Sequence, residues 1–240
     1  MYVPVGEQIE AIQHALRDLR QGRFVLVFDD EKREGETDLV LPAGFATPDS
    51  IRTLRKDGGG LIFLMISHEI AQHLQLPFLS DLYASVHDDF PVLQELIAND
   101  IPYDTKSSFS LYINHRKTFT GITDNDRSLT MKSFANLGNT IQGLDSSSAL
   151  QRFGKEFRSP GHVPLCVASQ HPLRERFGHT ELVVALLTMA GLIPVGSGCE
   201  MMGDTGTALS KTKAKKYARD NDLVFIEGKD IIQAWEQWSK

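Results

Sequence analysis

Cysteine is scarce in this sequence, which has only Cys166 and Cys199 among its 240 residues. Two cysteines cannot build a disulfide framework for a chain of this length, and their scarcity is typical of proteins from a reducing cytosol. Basic residues are also few, because 25 Lys and Arg stand against 31 Asp and Glu and give a net charge of −6. Nucleic acid is therefore not expected as a partner, since phosphate backbones require a basic face.

Long apolar runs are missing as well. The longest candidate, Leu182–Ala190, is shorter than the ~18 residues that a membrane-spanning helix needs. The first ten residues have no basic segment followed by an apolar run, so the sequence predicts no secretory signal. We therefore expect a cytoplasmic protein with no membrane partner. Its length and its hydrophobic fraction of 41% fit a single globular domain over residues 1–240.

Short apolar runs and helical periodicities mix along the chain. Strands are predicted at 24–28, 61–66, 108–113, 163–168, 195–199 and 223–226. Helices are predicted at 7–20, 47–57, 92–98, 130–137, 180–190, 211–219 and 231–238. Because helices and strands do not alternate strictly, the pattern favours an α+β fold over a doubly wound parallel fold. The expected architecture is a three-layer sandwich, with a mixed twisted sheet flanked by helices.

A dense acidic segment follows the first predicted strand. Six carboxylates lie between residues 29 and 38, together with Arg33 and with Gly35, which gives the backbone room to turn. One interpretation is a solvated turn. The other is a cation site, because repelling carboxylates are costly without a cation and oxygen ligands suit Mg²⁺ or Mn²⁺. The position at a strand end favours this second interpretation, in which the segment 33–38 offers metal-binding carboxylates beside a phosphate-binding Arg33.

A second polar segment, Arg176-Phe177-Gly178-His179-Thr180, precedes the apolar helix predicted at 180–190. Thr180 is the predicted N-cap, and helix N-termini bind phosphate readily. The planar guanidinium of Arg176 suits phosphate oxygens, and His179 is a candidate metal ligand. The alternative is a capped core helix with an exposed histidine, and the segment alone does not decide between the two.

Two more residues are candidates for proton transfer. His162 ends the segment Arg158-Ser159-Pro160-Gly161-His162, which predicts a rigid turn that holds the imidazole at the mouth of the sheet. Glu200 follows the strand predicted at 195–199, where partial burial would raise its pKa and suit a general base. An exposed turn histidine and a salt-bridged rim glutamate are the alternatives. The segment 121–127 predicts a tight polar turn, because EF-hand spacing is missing.

These segments, in this order, resemble the 3,4-dihydroxy-2-butanone 4-phosphate synthase family. The similarity runs from about residue 7 to about residue 230 and rests on the following stretches: DDEKREGETDLVLPA, RKDGGGLI, FTGITDNDR, GKEFRSPGHV, RFGHTELVVALLTMAGLIPV and CEMMGDTGTALS. The middle segment, 99–127, is most similar to the archaeal branch. The chain resembles the monofunctional form, without a fused GTP cyclohydrolase II domain. Relatives often have a cysteine near Phe63, where this chain has none.

The resemblance implies a carbon–carbon lyase of riboflavin biosynthesis. Such an enzyme converts D-ribulose 5-phosphate to L-3,4-dihydroxy-2-butanone 4-phosphate and formate through a metal-stabilised enediolate. It also implies a homodimer with active sites at the subunit interface and two ions, Mg²⁺ or Mn²⁺, in each site. The metal ligands would be Glu34, which bridges the ions, and His179.

The same resemblance implies roles for the remaining candidates. The residues expected to contact substrate are Arg33, Glu34, Asp38, Arg176, Phe177, Gly178, His179, Thr180 and Glu200. His162 and Glu200 are expected to be essential for catalysis, and Asp38 joins them as a candidate base. The resemblance leaves open which of the three removes a proton at which step, and whether His162 serves the partner subunit's site.

Two other functions remain compatible with the residues themselves. One is a different metal-dependent sugar-phosphate isomerase or aldolase, because it would use the same enediolate chemistry. The other is a catalytically silent dimeric module that keeps the fold for binding or regulation. Release of formate from ribulose 5-phosphate separates the synthase from the first alternative. The retention of Glu34, His162, His179 and Glu200 argues against the second.

Overall fold

The computed structural model describes the backbone of residues 5–239 and the side chains of residues 10–239. The strands are β1 (Val25–Phe28), β2 (Thr37–Pro42), β3 (Gly59–Ile66), β4 (Phe109–His115), β5 (Phe157–Val167), β6 (Val195–Met201) and β7 (Val224–Glu227). The helices are α1 (Val5–Arg20), α2 (Pro48–Thr53), α3 (His68–His73), α4 (Leu79–Ser85), α5 (Val92–Glu95), α6 (Asp124–Ile141), α7 (Ser146–Glu156), α8 (His179–Met189), α9 (Lys211–Asp220) and α10 (Gly228–Trp238).

The strands form one sheet in the order β4-β5-β3-β6-β2-β1-β7. The β3–β5 and β1–β7 pairs are parallel and the other pairs are antiparallel, so the sheet is mixed. Successive residues of a strand point to opposite faces. Leu39 and Leu41 accordingly belong to one core, shared with Phe134 of α6, whereas Val40 belongs to a second core, shared with Leu186 of α8. Helices therefore cover both faces, which confirms the predicted three-layer arrangement.

The sequence pattern does not predict β2. This strand begins at Thr37, so Asp38 lies within a strand and not in the acidic loop predicted for 29–38. All six residues of β2 are buried, and a fully buried strand shows no polar–apolar alternation. A polar start and the absence of alternation together conceal the strand in the sequence.

Two other predictions are wrong in detail. The tight turn predicted at 121–127 ends early, because the Thr123 side chain accepts a hydrogen bond from the Asp126 N–H and begins α6 at Asp124. The helix predicted at 130–137 is accordingly longer at its N-terminal end. The segment Arg158–His162 does not precede the strand but lies within β5, where Ile113 pairs with Val163 and the next residue pairs with Arg158. Residues 159–162 thus form a bulge in the strand.

Among residues 5–239, no helix is both long and apolar enough to cross a membrane.

Candidate active site

Four chain segments meet at one end of the sheet: the β1–β2 loop, the start of β2, the end of β6 and the first turn of α8. Asp38 of β2 pairs directly with Glu200 of β6. Directly opposite residues of paired strands project from the same face of a sheet. Helix α8 packs on that face, in the core that also contains Val40. The first residue of α8, His179, therefore lies beside carboxylates from distant parts of the chain.

The β1–β2 loop owes its shape to Asp29. The buried carboxylate of Asp29 accepts hydrogen bonds from the backbone N–H groups of Glu34 (2.9 Å) and Glu36 (3.0 Å). Gly35 has a φ of 69°, a left-handed conformation that glycine adopts without strain. The Gly35 N–H also bonds to the Asp30 carbonyl oxygen at 3.1 Å. These contacts fold the loop back on itself and present the Glu34 side chain to α8.

His179 lies between two carboxylates. Its Nδ1 is 3.1 Å from Glu34 Oε2, and its Nε2 is 3.6 Å from Asp38 Oδ1. His179 and Asp38 are both buried. Neither the two carboxylate oxygens of Asp38 nor His179 Nε2 has a hydrogen-bond partner among the described residues. Buried polar atoms without partners are rare in proteins, and they indicate a place for a ligand or an ion.

Burial and mutual repulsion perturb the pKa values in this group. Burial, with added repulsion from Glu200 and Glu34, raises the pKa of Asp38. Burial opposes the charge on His179, but the surrounding carboxylates of Asp38 and Glu34 outweigh it and raise the pKa of the imidazole. Burial likewise works against the Glu34 carboxylate, yet the His179 hydrogen bond holds its pKa below the usual range. These carboxylates therefore favour a positive charge between them.

The donor atoms fit a divalent cation. One ligand atom from each of Asp29, Glu34 and His179 lies within 4.8 Å of the other two. Both oxygens of Asp29 already accept backbone N–H groups, so Glu34 and His179 are the better-placed ligands, with Asp38 adjacent. Carboxylate oxygens with an imidazole suit Mg²⁺ or Mn²⁺. Glu34 and His179, the metal ligands predicted from the resemblance, are thus brought together by the fold.

Glu200 is held by the glycine segment at the start of β3. Its Oε2 accepts a hydrogen bond of 2.7 Å from the Leu61 N–H. A Cβ atom at Gly60 would lie only 2.5 Å from Glu200 Oε2 and 2.8 Å from its carbonyl oxygen, so a side chain there would push Glu200 aside. Partial burial raises the pKa of Glu200, and the neighbouring Glu34 adds to the effect. Glu200 is therefore fixed next to Asp38, and it forms no salt bridge with any other described residue.

Arg33 and Arg176 form a guanidinium pair over Gly178. A Cβ atom at Gly178 would lie 2.7 Å from Arg176 Nη1 and 2.8 Å from Arg33 Nη2, so only glycine leaves room for both side chains. Arg33 Nη1 is 3.0 Å from Glu34 Oε1, which places the pair directly beside the candidate cation site. The fold therefore brings the two polar segments, 29–38 and 176–180, next to each other.

The first turn of α8 differs from its prediction. The N-cap is Gly178, not Thr180, and α8 begins at His179. The fully buried carboxylate of Glu181 replaces a side-chain cap, because it accepts hydrogen bonds from the Gly178 N–H (3.2 Å), the Ser169 N–H (2.9 Å) and Arg176 Nη1 (2.7 Å). Thr180 is buried and Phe177 is 44% exposed, so Phe177 is the one that faces solvent.

Asp104 also lies at the site, although no pattern in the sequence predicts it. Its Oδ2 accepts hydrogen bonds from both members of the guanidinium pair, at 3.0 Å from Arg33 Nη2 and closer still from Arg176 Nε. The Tyr103 ring lies over Arg33, with 5.3 Å between Cζ and the ring centroid. These residues line a cavity of 450 Å³. No local signal marks Asp104, because its segment has no regular structure and its partners are about 70 residues away in either direction.

His162 is not part of this cluster within one chain. Its ring Nδ1 lies 3.1 Å from Asn114 Nδ2, and its backbone N–H donates to Asn114 Oδ1 at 2.9 Å. Strand β5 is separated from β6 by β3, so His162 lies two strands away from Glu200. The bulge and the Asn114 contacts fix the imidazole at the sheet surface, at a distance from the carboxylates.

A larger cavity, of 630 Å³, is lined by the second half of α8 and by Trp235 of α10. It contains none of the clustered carboxylates and arginines, so chemistry favours the smaller cavity beside the guanidinium pair.

Comparison with known proteins identifies the same family that the sequence resembles. The family model described as 3,4-dihydroxy-2-butanone 4-phosphate synthase matches residues 13–234. A protein of that name from Methanothermobacter thermautotrophicus is 46% identical over 233 residues, which is 97% of this chain and 99% of the relative. The namesake from Methanosarcina mazei is 43% identical over 96% of this chain and 93% of its own length. Both relatives come from archaea, which confirms the resemblance of this chain to the archaeal branch.

Solved structures show the same fold. A 3,4-dihydroxy-2-butanone 4-phosphate synthase from Candida albicans is 28% identical, with a TM-score of 0.70 over 93% of this chain and 96% of the other. A second structure of such a synthase, described as a complex with two magnesium ions, is 24% identical, with a TM-score of 0.72 over 94% of this chain and 96% of the other.

Proposed function

The chain belongs to the 3,4-dihydroxy-2-butanone 4-phosphate synthase family, and we propose that the site around Glu34, His179 and the guanidinium pair is where it performs that reaction. The enzyme is a carbon–carbon lyase of riboflavin biosynthesis that converts D-ribulose 5-phosphate to L-3,4-dihydroxy-2-butanone 4-phosphate and formate. The observation that supports the location best is the contact between Glu34 and His179, 3.1 Å apart, beside two arginines that suit a phosphoryl group.

Two Mg²⁺ ions are the proposed cofactors, held by Glu34 and His179. A related synthase crystallised with two magnesium ions, and the donor set described above fits hard divalent cations. When bound, the ions would act as Lewis acids that stabilise negative charge on the substrate's ketone and hydroxyl oxygens. Mn²⁺ has similar ligand preferences, so it is the proposed alternative cofactor.

The guanidinium pair and the N-terminus of α8 are the proposed phosphoryl site. Arg33 and Arg176 offer planar N–H donors that match phosphate oxygens. Both guanidiniums lie next to Gly178, the N-cap of α8, and therefore at the positive end of the helix dipole. Anchoring the phosphoryl group there would orient the sugar carbons toward Glu34, Asp38 and Glu200, which converts binding energy into correct orientation.

Asp38 and Glu200 are the proposed acid–base groups within one chain. They are paired neighbours on adjacent strands, on the face that α8 covers, and Leu61 N–H and Gly60 hold Glu200 in place. Either carboxylate would accept the proton that leaves substrate carbon C3. The Leu61 hydrogen bond keeps one Glu200 oxygen occupied, so the other oxygen is the one available to exchange a proton.

His162 is proposed to complete the active site of a partner subunit in a homodimer. The reason is its position, because it projects from the sheet surface two strands away from Glu200. Mixing two inactive variants, Glu34→Gln and His162→Ala, would test this arrangement. If subunits exchange, about half of the dimers are mixed and each has one intact site, so about a quarter of wild-type activity should return. No recovery after verified subunit exchange would contradict a shared site.

The cytoplasm is the proposed location. Both cysteines are buried and free, as suits a reducing compartment.

The direct test of the proposed function is an assay with purified protein and D-ribulose 5-phosphate. We expect formate and a four-carbon phosphate with Mg²⁺ or Mn²⁺ present, and neither product with EDTA. Glu34→Gln should abolish product formation, whereas the matched control Glu31→Gln, at an exposed position of the same loop, should retain it. Isomerised or cleaved sugar phosphate without formate would assign the site to an isomerase or aldolase instead.

A further inference from the structure

The guanidinium pair is already occupied by a carboxylate of the same chain. A single oxygen, Asp104 Oδ2, accepts hydrogen bonds from Arg33 Nη2 and Arg176 Nε, while Oδ1 accepts the Thr105 N–H at 2.9 Å. The side chains of Arg33, Asp104 and Arg176 are 10%, 11% and 19% exposed. This is a well-formed and largely buried anion site whose anion is an aspartate.

The charge around the pair leaves no excess for a further anion. Two guanidiniums stand against four contacting carboxylates, namely Asp29, Glu34, Asp104 and Glu181. A phosphoryl dianion that binds Arg33 Nη2 and Arg176 Nε would meet the Asp104 carboxylate at those N–H groups. Two anions at that distance repel strongly in a partly buried site. One of them has to leave for the other to bind.

Asp104 is the carboxylate that is able to leave. Glu34 lies on the folded loop that Asp29 holds, and Glu181 is fixed by two backbone N–H groups at the start of α8. Asp104 instead lies between α5 and β4 in a stretch with neither helix nor strand, and the 450 Å³ cavity opens beside it. Its contacts with the core of the site are made through the two arginines.

We propose that Asp104 is an affinity-determining residue that competes with the substrate's phosphoryl group for Arg33 and Arg176. Before substrate binds, Asp104 neutralises and aligns the two guanidiniums. The phosphoryl group then takes over their N–H groups, and Asp104 moves away with its segment. The inference rests on the proposed function, because it assigns the substrate's phosphoryl group to this pair.

The variant Asp104→Asn tests the competition, because it removes the competing charge and keeps the side-chain size. With Mg²⁺ present, inorganic phosphate should bind about tenfold more tightly by calorimetry, equivalent to about 1.4 kcal/mol, and the KM for ribulose 5-phosphate should fall in parallel. The matched control Asp100→Asn makes the same change at an exposed position four residues earlier and should leave both values unchanged. Weaker or unchanged phosphate binding in Asp104→Asn would overturn the proposal and assign Asp104 a positioning role.

A second measurement uses the wild-type protein and does not depend on the folding of a variant. Hydrogen exchange of the peptide that covers 97–107 should become faster at saturating inorganic phosphate, because the Asp104 contacts are lost. Slower or unchanged exchange in that peptide would overturn displacement. If the wild-type protein releases no formate from ribulose 5-phosphate, the proposed function fails, while the phosphate titration still decides whether Asp104 competes for the pair.

Discussion

Replacing Gly178 with alanine should damage the active site and leave the fold intact. The backbone at Gly178 has φ −80° and ψ 171°, an extended conformation that alanine adopts without strain. The added methyl group, however, would lie 2.7 Å from Arg176 Nη1 and 2.8 Å from Arg33 Nη2. Both atoms belong to side-chain ends, so the guanidiniums move and the backbone does not.

The size of the effect follows from the distances. Ordinary van der Waals contact begins near 3.4 Å, so each guanidinium must retreat by about 0.6 Å or more. Salt bridges to Asp104, Glu181 and Glu34 oppose that movement. Because a displacement of about 1 Å in a binding group can cost a factor of about 100 in rate, we expect kcat/KM to fall by about 10- to 100-fold. The free energy of unfolding should change by less than about 1 kcal/mol.

Formate release at varied ribulose 5-phosphate concentration gives kcat/KM, and thermal unfolding of the same preparation gives the stability. Gly154→Ala is a matched control, because no atom lies within 4 Å of its added Cβ. It should keep full activity. An active Gly178→Ala enzyme, or one that loses several kcal/mol of stability, would refute the argument that the glycine exists to accommodate the guanidinium pair.

Three further predictions concern residues around and outside the site. Gly60→Ala should displace Glu200 and abolish most formate release. Urea unfolding should show a loss of about 1–3 kcal/mol in stability. An active and stable variant would contradict the packing seen at Gly60. Glu181→Gln should lower stability by about 2 kcal/mol, because one backbone N–H then faces an amide donor. It should also raise KM, because the salt bridge to Arg176 is weakened. An unchanged KM would count against this role of Glu181. Burial disfavours the charged form of Glu227, but hydrogen bonds from three lysines lower its pKa to about 2. The carboxylate therefore stabilises the fold above about pH 4.3, its unfolded pKa, and this stabilisation is lost as the pH falls toward about 2. After allowance for solvent screening, Glu227→Gln should cost about 1 kcal/mol at pH 7 and nothing near pH 2, and a cost independent of pH would contradict this.

Local patterns in the sequence predict much of this fold. Six strands are found close to their predicted positions, since short runs rich in apolar and β-branched residues indicate buried strands in a sheet covered on both sides. β2 is missed because its burial depends on neighbours from distant parts of the chain. A buried Asp38 is tolerated only where His179 and β6 surround it, and no residue near β2 signals that environment.

Boundaries depend on capping, which the sequence shows ambiguously. Thr123 is a good N-cap, but the acidic residues after it are equally typical of a turn, so the start of α6 is misplaced. Thr180 is also a good N-cap residue, yet Glu181 already bonds the Gly178 N–H and makes the threonine unnecessary. The choice between such alternatives is made by tertiary contacts.

The candidate site, too, is predicted only in part by local sequence patterns. Residue types at strand and helix ends predict the acidic segment 29–38, His179 and Glu200 as site residues, and the structure brings Glu34 and Asp38 of that segment together with His179 and Glu200. Asp104 was not identified, because its role comes only from the meeting of Arg33 and Arg176 in space. Salt bridges between distant segments leave no periodicity in the sequence.

A crystal structure with Mn²⁺ and D-ribulose 5-phosphate would test the central claim most directly. Anomalous scattering should place manganese within bonding distance of Glu34 and His179, with the phosphoryl group on Arg33 and Arg176. A metal peak away from both ligands, or substrate bound in the cavity beside Trp235, would contradict the assignment of the active site.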